Sequence, residues 1–314
     1  MIEATDLTKK YGDRTAVDDL TFTVRPGIVT GFLGPNGAGK STTMRMILGL
    51  DAPTSGTVTV EGKPYSELRK PLQTIGALLD ARAVHTSRSA YDHLRALAAT
   101  HGIANSRVHA VIDMVGLQDV ARKRAGGFSL GMGQRLGIAS ALLADPGTLI
   151  LDEPVNGLDP EGIRWIRDLL KSLAAEGRTV FVSSHLMSEM ALTADHAIIV
   201  GRGRLIADLP MAELIEQASS DVVVVRSPQA ATLASALAGT GVVITSSEQD
   251  TLEITGLSAA QIGERARELD IGLHQLADKQ ASLEEAFMEM TRDEVEYHAE
   301  VSPHRTENDL RDAA

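Results

Sequence analysis

The stretch Gly34-Pro35-Asn36-Gly37-Ala38-Gly39-Lys40-Ser41-Thr42 decides the fold of this chain. It matches Gly-x4-Gly-Lys-[Ser/Thr], a loop that holds phosphate groups when a strand precedes it and a helix follows it. Both flanks have that pattern. Residues 28–33 are mostly apolar, as in a short buried strand, and Met44, Ile47 and Leu48 recur at helical spacing. The stretch, called the phosphate loop below, therefore predicts a strand, a turn and a helix within an α/β fold.

The chemistry of the phosphate loop predicts its ligand. Backbone N–H groups of such a turn point at one place, together with the positive end of the helix dipole. Lys40 adds a cation for the β- and γ-phosphates, and the Ser41 hydroxyl is suited to bind Mg2+. A glycine-rich turn without a ligand is the weaker alternative because both flanks are as required. The loop therefore predicts a nucleoside triphosphate site.

Composition excludes several classes of protein. The 314 residues suffice for two domains, and 43% of them are hydrophobic, enough for an ordinary core. A net charge of -12 argues against general binding to nucleic acid, and the lack of cysteine excludes disulfides, thiol catalysis and cysteine-based zinc sites. The first residues lack the regions of a signal peptide, and no apolar window approaches the ~18 residues of a membrane span. We therefore expect any role at a membrane to come through a partner.

A second motif supplies carboxylates. Residues 148–151 have the character of a buried strand, and Asp152 and Glu153 follow directly. We expect this strand to lie beside the strand before the phosphate loop, with Asp152 near Mg2+. Glu153 could orient and deprotonate the water that attacks the γ-phosphate. Two solvated acids at a strand end are the alternative, which the phosphate loop in the same chain makes weaker.

Three other residues have open interpretations from the sequence alone, and a fourth, Asp159, has a structural explanation. Ser129 is a natural N-cap, and the same helix start could receive a phosphate. Asp159 before Pro160 is explained by capping without catalysis. His185 follows a predicted strand at the edge where α/β sheets present ligands, although a lone histidine there is more often structural. The Tyr11 ring could stack on a nucleotide base or pack on its own sheet.

The order and spacing of these motifs resemble the ATP-binding subunits of ABC transporters over residues 1 to about 210. The resemblance rests on the phosphate loop, a signature-like stretch at 128–132, a Walker B strand ending in Asp152-Glu153, a D-loop at 156–159 and a switch histidine at 185. Within this family the chain most resembles drug-export ATPases of the daunorubicin- and bacitracin-resistance type. This narrower resemblance rests on the single nucleotide-binding domain, the Ser-Leu-Gly-Met signature and the C-terminal extension.

The resemblance implies an α/β P-loop NTPase core with a helical subdomain and an N-terminal antiparallel β subdomain. We expect this domain over 1–215, its helical subdomain at about 83–144, a small α+β domain over 218–291, and a disordered acidic tail over 292–314. The implied partners are a separate transmembrane permease and a second copy of the chain, with no nucleic acid. The implied place is the cytoplasmic face of the cell membrane, reached through the permease.

The resemblance also implies ATP and Mg2+ as cofactors and a role for each matching residue. Tyr11 would stack on adenine, Glu153 would act as general base, and His185 would contact the γ-phosphate. In this family ATP lies between two domains arranged head to tail, so that Ser129 and Gly131 would face the partner's phosphate loop. The expected residues are catalytic Glu153, His185 and Lys40; nucleotide-binding Tyr11, Gly34, Asn36, Gly37, Gly39, Lys40, Ser41, Thr42, Ser129, Gly131 and Asp159; and metal-binding Ser41, Asp152 and Asp80.

The sequence departs from the family pattern in two places. The signature reads Phe-Ser-Leu-Gly-Met where Leu-Ser-Gly-Gly-Gln is common, but it keeps Ser129 and Gly131. Asp80 stands where the family usually has a glutamine that links Mg2+ and water to the permease. A nucleotide-controlled soluble switch on ribosomes or DNA is the rival function, and a lipid or polysaccharide cargo is the alternative for the exporter.

Overall fold

The computed structural model describes residues 1–80, 83–218, 222–248, 250–278, 284 and 287. Its strands are β1 (Ile2–Tyr11), β2 (Arg14–Val24), β3 (Val29–Leu33), β4 (Ser55–Val60), β5 (Ile75–Leu78), β6 (Thr148–Asp152), β7 (Thr179–Ser184), β8 (His196–Gly201), β9 (Arg204–Pro210), β10 (Val222–Arg226), β11 (Val243–Glu248), β12 (Thr251–Thr255) and β13 (Gln275–Asp278). Its α-helices are α1 (Lys40–Ile47), α2 (Pro71–Thr74), α3 (Ala90–Thr100), α4 (Asn105–Met114), α5 (Leu130–Leu142), α6 (Pro160–Ala175), α7 (Met187–Thr193), α8 (Met211–Ala218), α9 (Ala230–Leu237) and α10 (Ala259–Glu268).

A six-stranded sheet carries the phosphate loop. Its order is β5-β6-β7-β3-β8-β9, and all neighbours are parallel except the antiparallel pair β8 and β9. Every residue of β3 and β7 is buried, as are the first four of β6, which explains their continuous apolar runs. Because the strands are parallel, the carboxyl ends of β3, β6 and β7 meet at one edge of the sheet. The phosphate loop and the Asp152-Glu153 pair both lie at that edge.

The expectation that the Asp152 strand lies beside the phosphate-loop strand is wrong. β7 lies between them: Val180 is in register with Val29 of β3 on one side and with Leu149 of β6 on the other. β7 is buried along its whole length, and a strand buried in this way needs a hydrogen-bonded neighbour on both edges. The position next to β3 is therefore taken by β7, and residues at its carboxyl end lie between the two motifs.

Aromatic packing joins the N-terminal strands to the central sheet. β2, β1 and β4 form an antiparallel sheet in that order, as expected for the N-terminal subdomain. Phe22 of β2 packs against Phe32 of β3 and Phe181 of β7, with ring centroids 5.7 and 5.8 Å away. Phe32 and Phe181 are 5.0 Å apart. Phe22 is in register with Ala4 of β1, so the three rings join the first part of β1 and the end of β2 to the central sheet.

The expected helical subdomain comprises α3, α4 and α5, between β5 and β6 in the chain. It is attached to α6 through Trp165, whose Nε1 donates to Met114 O at 3.2 Å. The Arg135 guanidinium lies 4.3 Å from the Trp165 ring centroid and donates to Val115 O at 2.9 Å. Arg135 lies on α5, one turn after the signature-like stretch, so this contact fixes the start of α5 relative to α6.

The C-terminal α+β unit has a split βαββαβ topology with strand order β11-β12-β10-β13, all pairs antiparallel. β13 was not predicted, because its four residues alternate weakly and it is defined by pairing with β10. The spacing of the apolar residues Leu283, Ala286, Phe287 and Met290 predicts a helix. Glu284 and Phe287 are described and helical, while Leu283, Ala286 and Met290 are outside the described residues, as is the tail over 292–314. Phe287 is buried in the core of the first domain, together with Met211 and Leu214. In the described part of the chain, no helix combines the length and apolarity needed to cross a membrane.

Candidate nucleotide site

An open cavity of about 590 Å³ lies at the carboxyl ends of β3 and β6. Its walls come from four separate parts of the chain: the phosphate loop, the end of β5, the end of β6, and the residues on both sides of the turn between β1 and β2. It is lined by residues 35–42, Leu79, Asp152, Glu153, Tyr11, Arg14 and Ala16. Arg14 and Ala16 were not predicted. The sequence contains little to identify these two residues. The one feature of Arg14 is its position opposite Tyr11 across a tight turn.

The phosphate loop is shaped for the close approach of other chain segments. Gly39 has φ +97°, and a Cβ there would lie 2.6 Å from Ala16 O, so both conformation and space require glycine. α1 begins at the next residue, and no side chain caps its first turn. The first turn and its positive dipole end border the cavity, where they can bind an anion.

Lys40 is buried beside the loop carbonyls. Its Nζ donates to Gly34 O at 2.6 Å and to Pro35 O at 3.2 Å, and it lies 3.8 Å from Glu153 Oε1. Burial lowers the pKa of Lys40, while the nearby Glu153 and Asp152 carboxylates act in the opposite direction. The structure therefore places a desolvated amine between the loop and the acids.

Ser183, which was not predicted from the sequence, connects the two acids. Ser41 Oγ donates to Asp152 Oδ2 at 2.6 Å, and Ser183 Oγ donates to the other carboxylate oxygen, Oδ1. The Glu153 N–H donates to Ser183 Oγ at 2.9 Å. The position of Ser183 near the end of a buried strand is the only sequence signal. Its role depends on β7 lying between β3 and β6.

Glu153 is held at several points. Its Oε2 lies 2.8 Å from His185 Nδ1, and its backbone carbonyl accepts from Gln134 Nε2 at 3.4 Å. Its φ is +50°, a conformation that is uncommon for residues other than glycine. The surrounding contacts maintain this backbone, and the carboxylate points between Lys40 and His185. Gln134 was not predicted either.

Tyr11 is not packed into its own sheet. Its side chain is 48% exposed and lines the cavity. Its hydroxyl donates to Asp51 Oδ2 at 3.0 Å, and desolvation together with this bond raises the pKa of Tyr11. Of the two interpretations left open by the sequence, a ring available at the cavity is the one the geometry favours.

Both predicted N-caps are confirmed. Ser129 Oγ accepts from the Met132 N–H at 3.2 Å, and Asp159 Oδ1 accepts from the Gly162 N–H at 2.9 Å. Neither residue lines the cavity, and Gly131 and His185 do not line it either. The helix start that follows Ser129 instead contacts the 156–159 turn of the same chain, where a Cβ on Gly131 would lie 3.0 Å from Gly157 O.

The site contains oxygen donors suited to Mg2+. Mg2+ is usually bound by one or two carboxylates together with phosphates and water, and the Ser41 hydroxyl and Asp152 carboxylate meet these requirements at the cavity. Asp80 is exposed two residues beyond β5, and Leu79 rather than Asp80 lines the cavity. Among the residues that the structure describes, no group of three or more His, Cys, Asp or Glu side chains could hold a metal alone.

Comparisons with known proteins agree with this geometry. The family model described as "ABC transporter" matches residues 17–156, and one described as a domain of unknown function matches residues 221–284. The bacitracin transport ATP-binding protein BcrA of Bacillus licheniformis is 45% identical over 217 residues, which are 68% of this chain and 71% of the relative. The lantibiotic transport ATP-binding protein SrtF of Streptococcus pyogenes is 38% identical over 208 residues, 66% of this chain and 90% of the relative.

A solved structure is similar over the same part of the chain. It is a dimeric ATP-binding cassette in a post-hydrolysis state, bound to ADP and Pi, with a TM-score of 0.62 and 25% identity. The alignment covers 67% of this chain and 99% of that one. The two catalytic motifs, the cavity between them and these relatives lead to one assignment. The chain belongs to the family of ABC transporter ATP-binding proteins, and it binds and hydrolyses ATP as the ATPase subunit of a transporter.

Proposed function

We propose that this chain powers export of a drug-like or amphipathic substrate through a separate membrane permease. The observation that carries the proposal is the convergence of Lys40, Ser41, Asp152 and Glu153 on one cavity, with His185 on the far side of Glu153. Three separate segments of the chain supply these groups. Such a set is suited to binding and hydrolysing a triphosphate, and relatives named for bacitracin and lantibiotic transport support a transport function.

The nucleotide would extend along the cavity with its base at Tyr11 and its phosphates at the phosphate loop. Backbone N–H groups of Asn36, Gly37 and Gly39 and of the first turn of α1 would surround the phosphates, with Thr42 beside them. Lys40 would exchange its contacts with Gly34 O and Pro35 O for the β- and γ-phosphates. This exchange relieves part of the desolvation that burial imposes on the ammonium.

Ser41 and Asp152 would hold Mg2+, which neutralises charge on the β- and γ-phosphates when bound. Asp80 would contribute from the rim, since its neighbour Leu79 reaches the cavity. Asp152 should therefore matter more for Mg2+ binding than Asp80. The Mg2+ concentration that gives half-maximal hydrolysis tests this ranking. We expect it to rise strongly in Asp152→Asn and less in Asp80→Asn. An unchanged value in Asp80→Asn would remove that residue from the metal site.

Glu153 would take the proton from the water that attacks the γ-phosphate. Its carboxylate is held between Lys40 and His185, so it has little freedom to turn away. His185 would contact the γ-phosphate and keep Glu153 oriented. Catalysis would then come mainly from positioning and from neutralising the charge of the transferred group.

Two copies of the chain would bind ATP between them, head to tail. Ser129 and Gly131 lie outside the cavity of their own chain, and the Leu130 side chain between them is 52% exposed. In the dimer these residues would face the γ-phosphate bound by the partner, and Asp159 would join the two sites. The dimeric relative solved with ADP and Pi supports this arrangement.

The cargo is proposed from the relatives alone. BcrA and SrtF are described as proteins of bacitracin and lantibiotic transport, so a peptide-like or drug-like amphipathic molecule is the leading class. A lipid or polysaccharide is the alternative, because the permease rather than this chain chooses the cargo. A switch acting on ribosomes or DNA is less suited to a chain of net charge -12.

The deciding experiment is purification of the tagged chain from membranes of its own host, followed by identification of co-purifying proteins. We expect a multi-spanning permease, with this chain released when the membranes are stripped and therefore held at the cytoplasmic face. Recovery with ribosomes or nucleic acid, and none with membranes, would contradict the export function and leave the ATPase assignment in place.

The domain limits remain 1–215 and 218–291 in this proposal, with 292–314 as a tail. The topology of β10 to β13 and a separate apolar cluster from Val223 to Leu276 support a second unit, whereas Phe287 packs into the core of the first domain. The second domain would support dimerisation or regulate it. Removing the residues after 215 should weaken self-association or change ATPase activity, and unchanged values of both would eliminate this role.

A further inference from the structure

Beside the cavity, the Asp51 carboxylate holds the ring that faces the nucleotide. Asp51 Oδ2 accepts two hydrogen bonds, from the Tyr11 hydroxyl at 3.0 Å and from Arg45 Nε at 2.7 Å. Arg45 NH2 donates to the other oxygen, Oδ1, at 3.3 Å. The carboxylate is therefore fixed by the guanidinium and in turn fixes the phenol. Asp51 itself does not belong to the phosphate loop, but the Tyr11 hydroxyl also contacts the Thr42 side chain at the end of that loop.

A fourth residue occupies one face of the Tyr11 ring. Lys9 Nζ lies 4.8 Å from the ring centroid and donates to Ala52 O at 2.7 Å. Lys9 and Tyr11 are two residues apart on β1, so their side chains leave the strand on the same side. The cation covers one face of the ring, and a base would stack on the opposite face.

The position of Asp51 follows from the helix that carries the phosphate loop. α1 begins at Lys40 and has Arg45 in its last turn. Beyond α1 the chain turns back, with the Leu50 N–H donating to Arg45 O at 2.9 Å, which brings Asp51 to the Arg45 side chain. One helix about 12 Å long thus presents its first turn to the phosphates and its last turn to the group that fixes Tyr11.

We propose that Asp51, oriented by Arg45, is a positioning residue for the nucleotide base: it fixes the Tyr11 ring before ATP arrives. The proposal rests on Tyr11 being the base-stacking residue of the proposed function. An exposed tyrosine on a turn loses rotamer freedom when a base stacks on it, and that loss weakens binding. Asp51 removes part of this cost by ordering the ring in the free protein. The Asp51 contacts therefore set affinity for the base while leaving the phosphate contacts unchanged.

The bonds to Asp51 also restrain the ionisation of the ring. Desolvation and the Asp51 carboxylate raise the pKa of Tyr11, and the Arg45 guanidinium lowers the pKa of Asp51. The phenol therefore remains a neutral donor and the carboxylate a charged acceptor throughout the physiological range. Lys9, Arg45 and Asp51 are charged groups close to the ring, and Arg14 is paired with Tyr11 across the turn between β1 and β2. None of these four is a histidine, so no change of the link between Asp51 and Tyr11 is expected near neutral pH.

The test compares two ligands, one with a base and one without. The dissociation constants of a non-hydrolysable ATP analogue and of inorganic tripolyphosphate are measured with Mg2+ by calorimetry. In Asp51→Asn we expect a roughly three- to tenfold rise in Kd for the ATP analogue, and less than a twofold change for tripolyphosphate. Tyr11→Phe keeps the ring and leaves the Asp51–Arg45 pair intact, but it removes the bond to Asp51 together with the contact of the hydroxyl with Thr42. It should give the same pattern, and the double variant should be no weaker than either single one.

A matched control is Asp145→Asn. Asp145 also forms arginine ion pairs, with Arg107 at 3.0 Å and Arg178 at 2.9 Å, but it is more exposed than Asp51 and does not line the cavity. It should leave both dissociation constants unchanged. An equal loss of affinity for both ligands in Asp51→Asn and Tyr11→Phe would overturn the proposal, because a purely structural role predicts it.

Tyr11→Ala separates this proposal from the function on which it rests. If Tyr11→Ala weakens binding of the ATP analogue while Asp51→Asn and Tyr11→Phe do not, the stacking role stands and the positioning role of Asp51 is wrong. If Tyr11→Ala leaves the affinity for the analogue unchanged, the stacking role itself is wrong, and the positioning role is overturned with it.

Discussion

His185 Nδ1 lies 2.8 Å from Glu153 Oε2, which joins the residue after β7 to the residue after β6. On its other side, Glu153 Oε1 lies 3.8 Å from Lys40 Nζ. The carboxylate is therefore positioned between a histidine and a buried lysine from the phosphate loop. This arrangement makes Glu153 the group whose replacement most directly separates ATP binding from hydrolysis.

We expect Glu153→Gln to lower kcat by about 100-fold or more while ATP still binds. Glutamine has nearly the same size but cannot accept the proton of the attacking water. Steady-state phosphate release gives kcat, and size-exclusion chromatography with ATP and Mg2+ shows whether the trapped nucleotide holds two copies together. Turnover at the wild-type rate would exclude Glu153 as the general base.

Ser183→Ala is expected to reduce both stability and kcat. It removes the hydroxyl that donates to Asp152 and leaves the partly buried Glu153 N–H without its acceptor. The loss should be about 1–3 kcal/mol of unfolding free energy, measured by urea denaturation. Ser227→Ala is the control, because Ser227 is equally buried but bonds to Gly272 in the C-terminal domain. Similar kcat values for the two variants would show that Ser183 has only a structural role.

Lys40→Met should raise Tm in the absence of nucleotide and abolish the shift in Tm that ATP produces. Burial lowers the pKa of Lys40 below its ordinary value of 10.5, so the charged form destabilises the folded protein. We expect Tm at pH 7 to rise by roughly 2–4 °C for each kcal/mol of desolvation penalty that the substitution removes. The loss of the ATP effect follows from mass action, since a ligand that no longer binds cannot stabilise.

The difference in Tm between Lys40→Met and the wild type should depend on pH, with a definite sign. A lowered pKa means that the folded state releases its proton first, so the wild type gains stability as pH rises from the folded pKa toward 10.5. The advantage of Lys40→Met in Tm should therefore shrink between pH 7 and the alkaline range. A lower Tm for the variant at pH 7 would contradict this account of the buried lysine.

Gly157→Ala should destabilise the turn against which the signature-like stretch packs. Gly157 has φ +78°, and a Cβ there would lie 2.3 Å from Leu130 Cδ2. We expect a loss of about 2–4 kcal/mol of unfolding free energy from backbone conformation and overlap together. Chemical denaturation measures this loss of unfolding free energy, and kcat is measured for the same variant.

Two further variants divide that loss into its parts. Gly102→Ala has a positive φ with no atom within 4 Å of the new Cβ, so it reports the conformational part alone. Leu130→Ala combined with Gly157→Ala should recover the part due to overlap, because the closest atoms to the new Cβ all belong to Leu130. If the losses of unfolding free energy in Leu130→Ala and Gly157→Ala simply add in the double variant, overlap with Leu130 does not determine the loss in Gly157→Ala.

The sequence by itself determined the parts of this protein whose physical causes are local. The glycine pattern, Lys40 and Ser41 specified a phosphate loop, because a strand–turn–helix with these residues has few other uses. The caps at Ser129 and Asp159 were predictable for the same reason, since a capping side chain acts within three residues. The family, its ATPase activity and the α/β core followed from several such local motifs in one order.

The tertiary structure alone decided which separate segments meet. β7 lies between the two catalytic strands because its buried run pairs on both edges, and that order made Ser183 the link between Asp152 and Glu153. Asp51 reaches Tyr11 only because the chain turns back after α1. Neither contact leaves a sequence pattern, since hydrogen bonds between residues 30 or 40 positions apart depend on strand order and packing, which no local periodicity encodes.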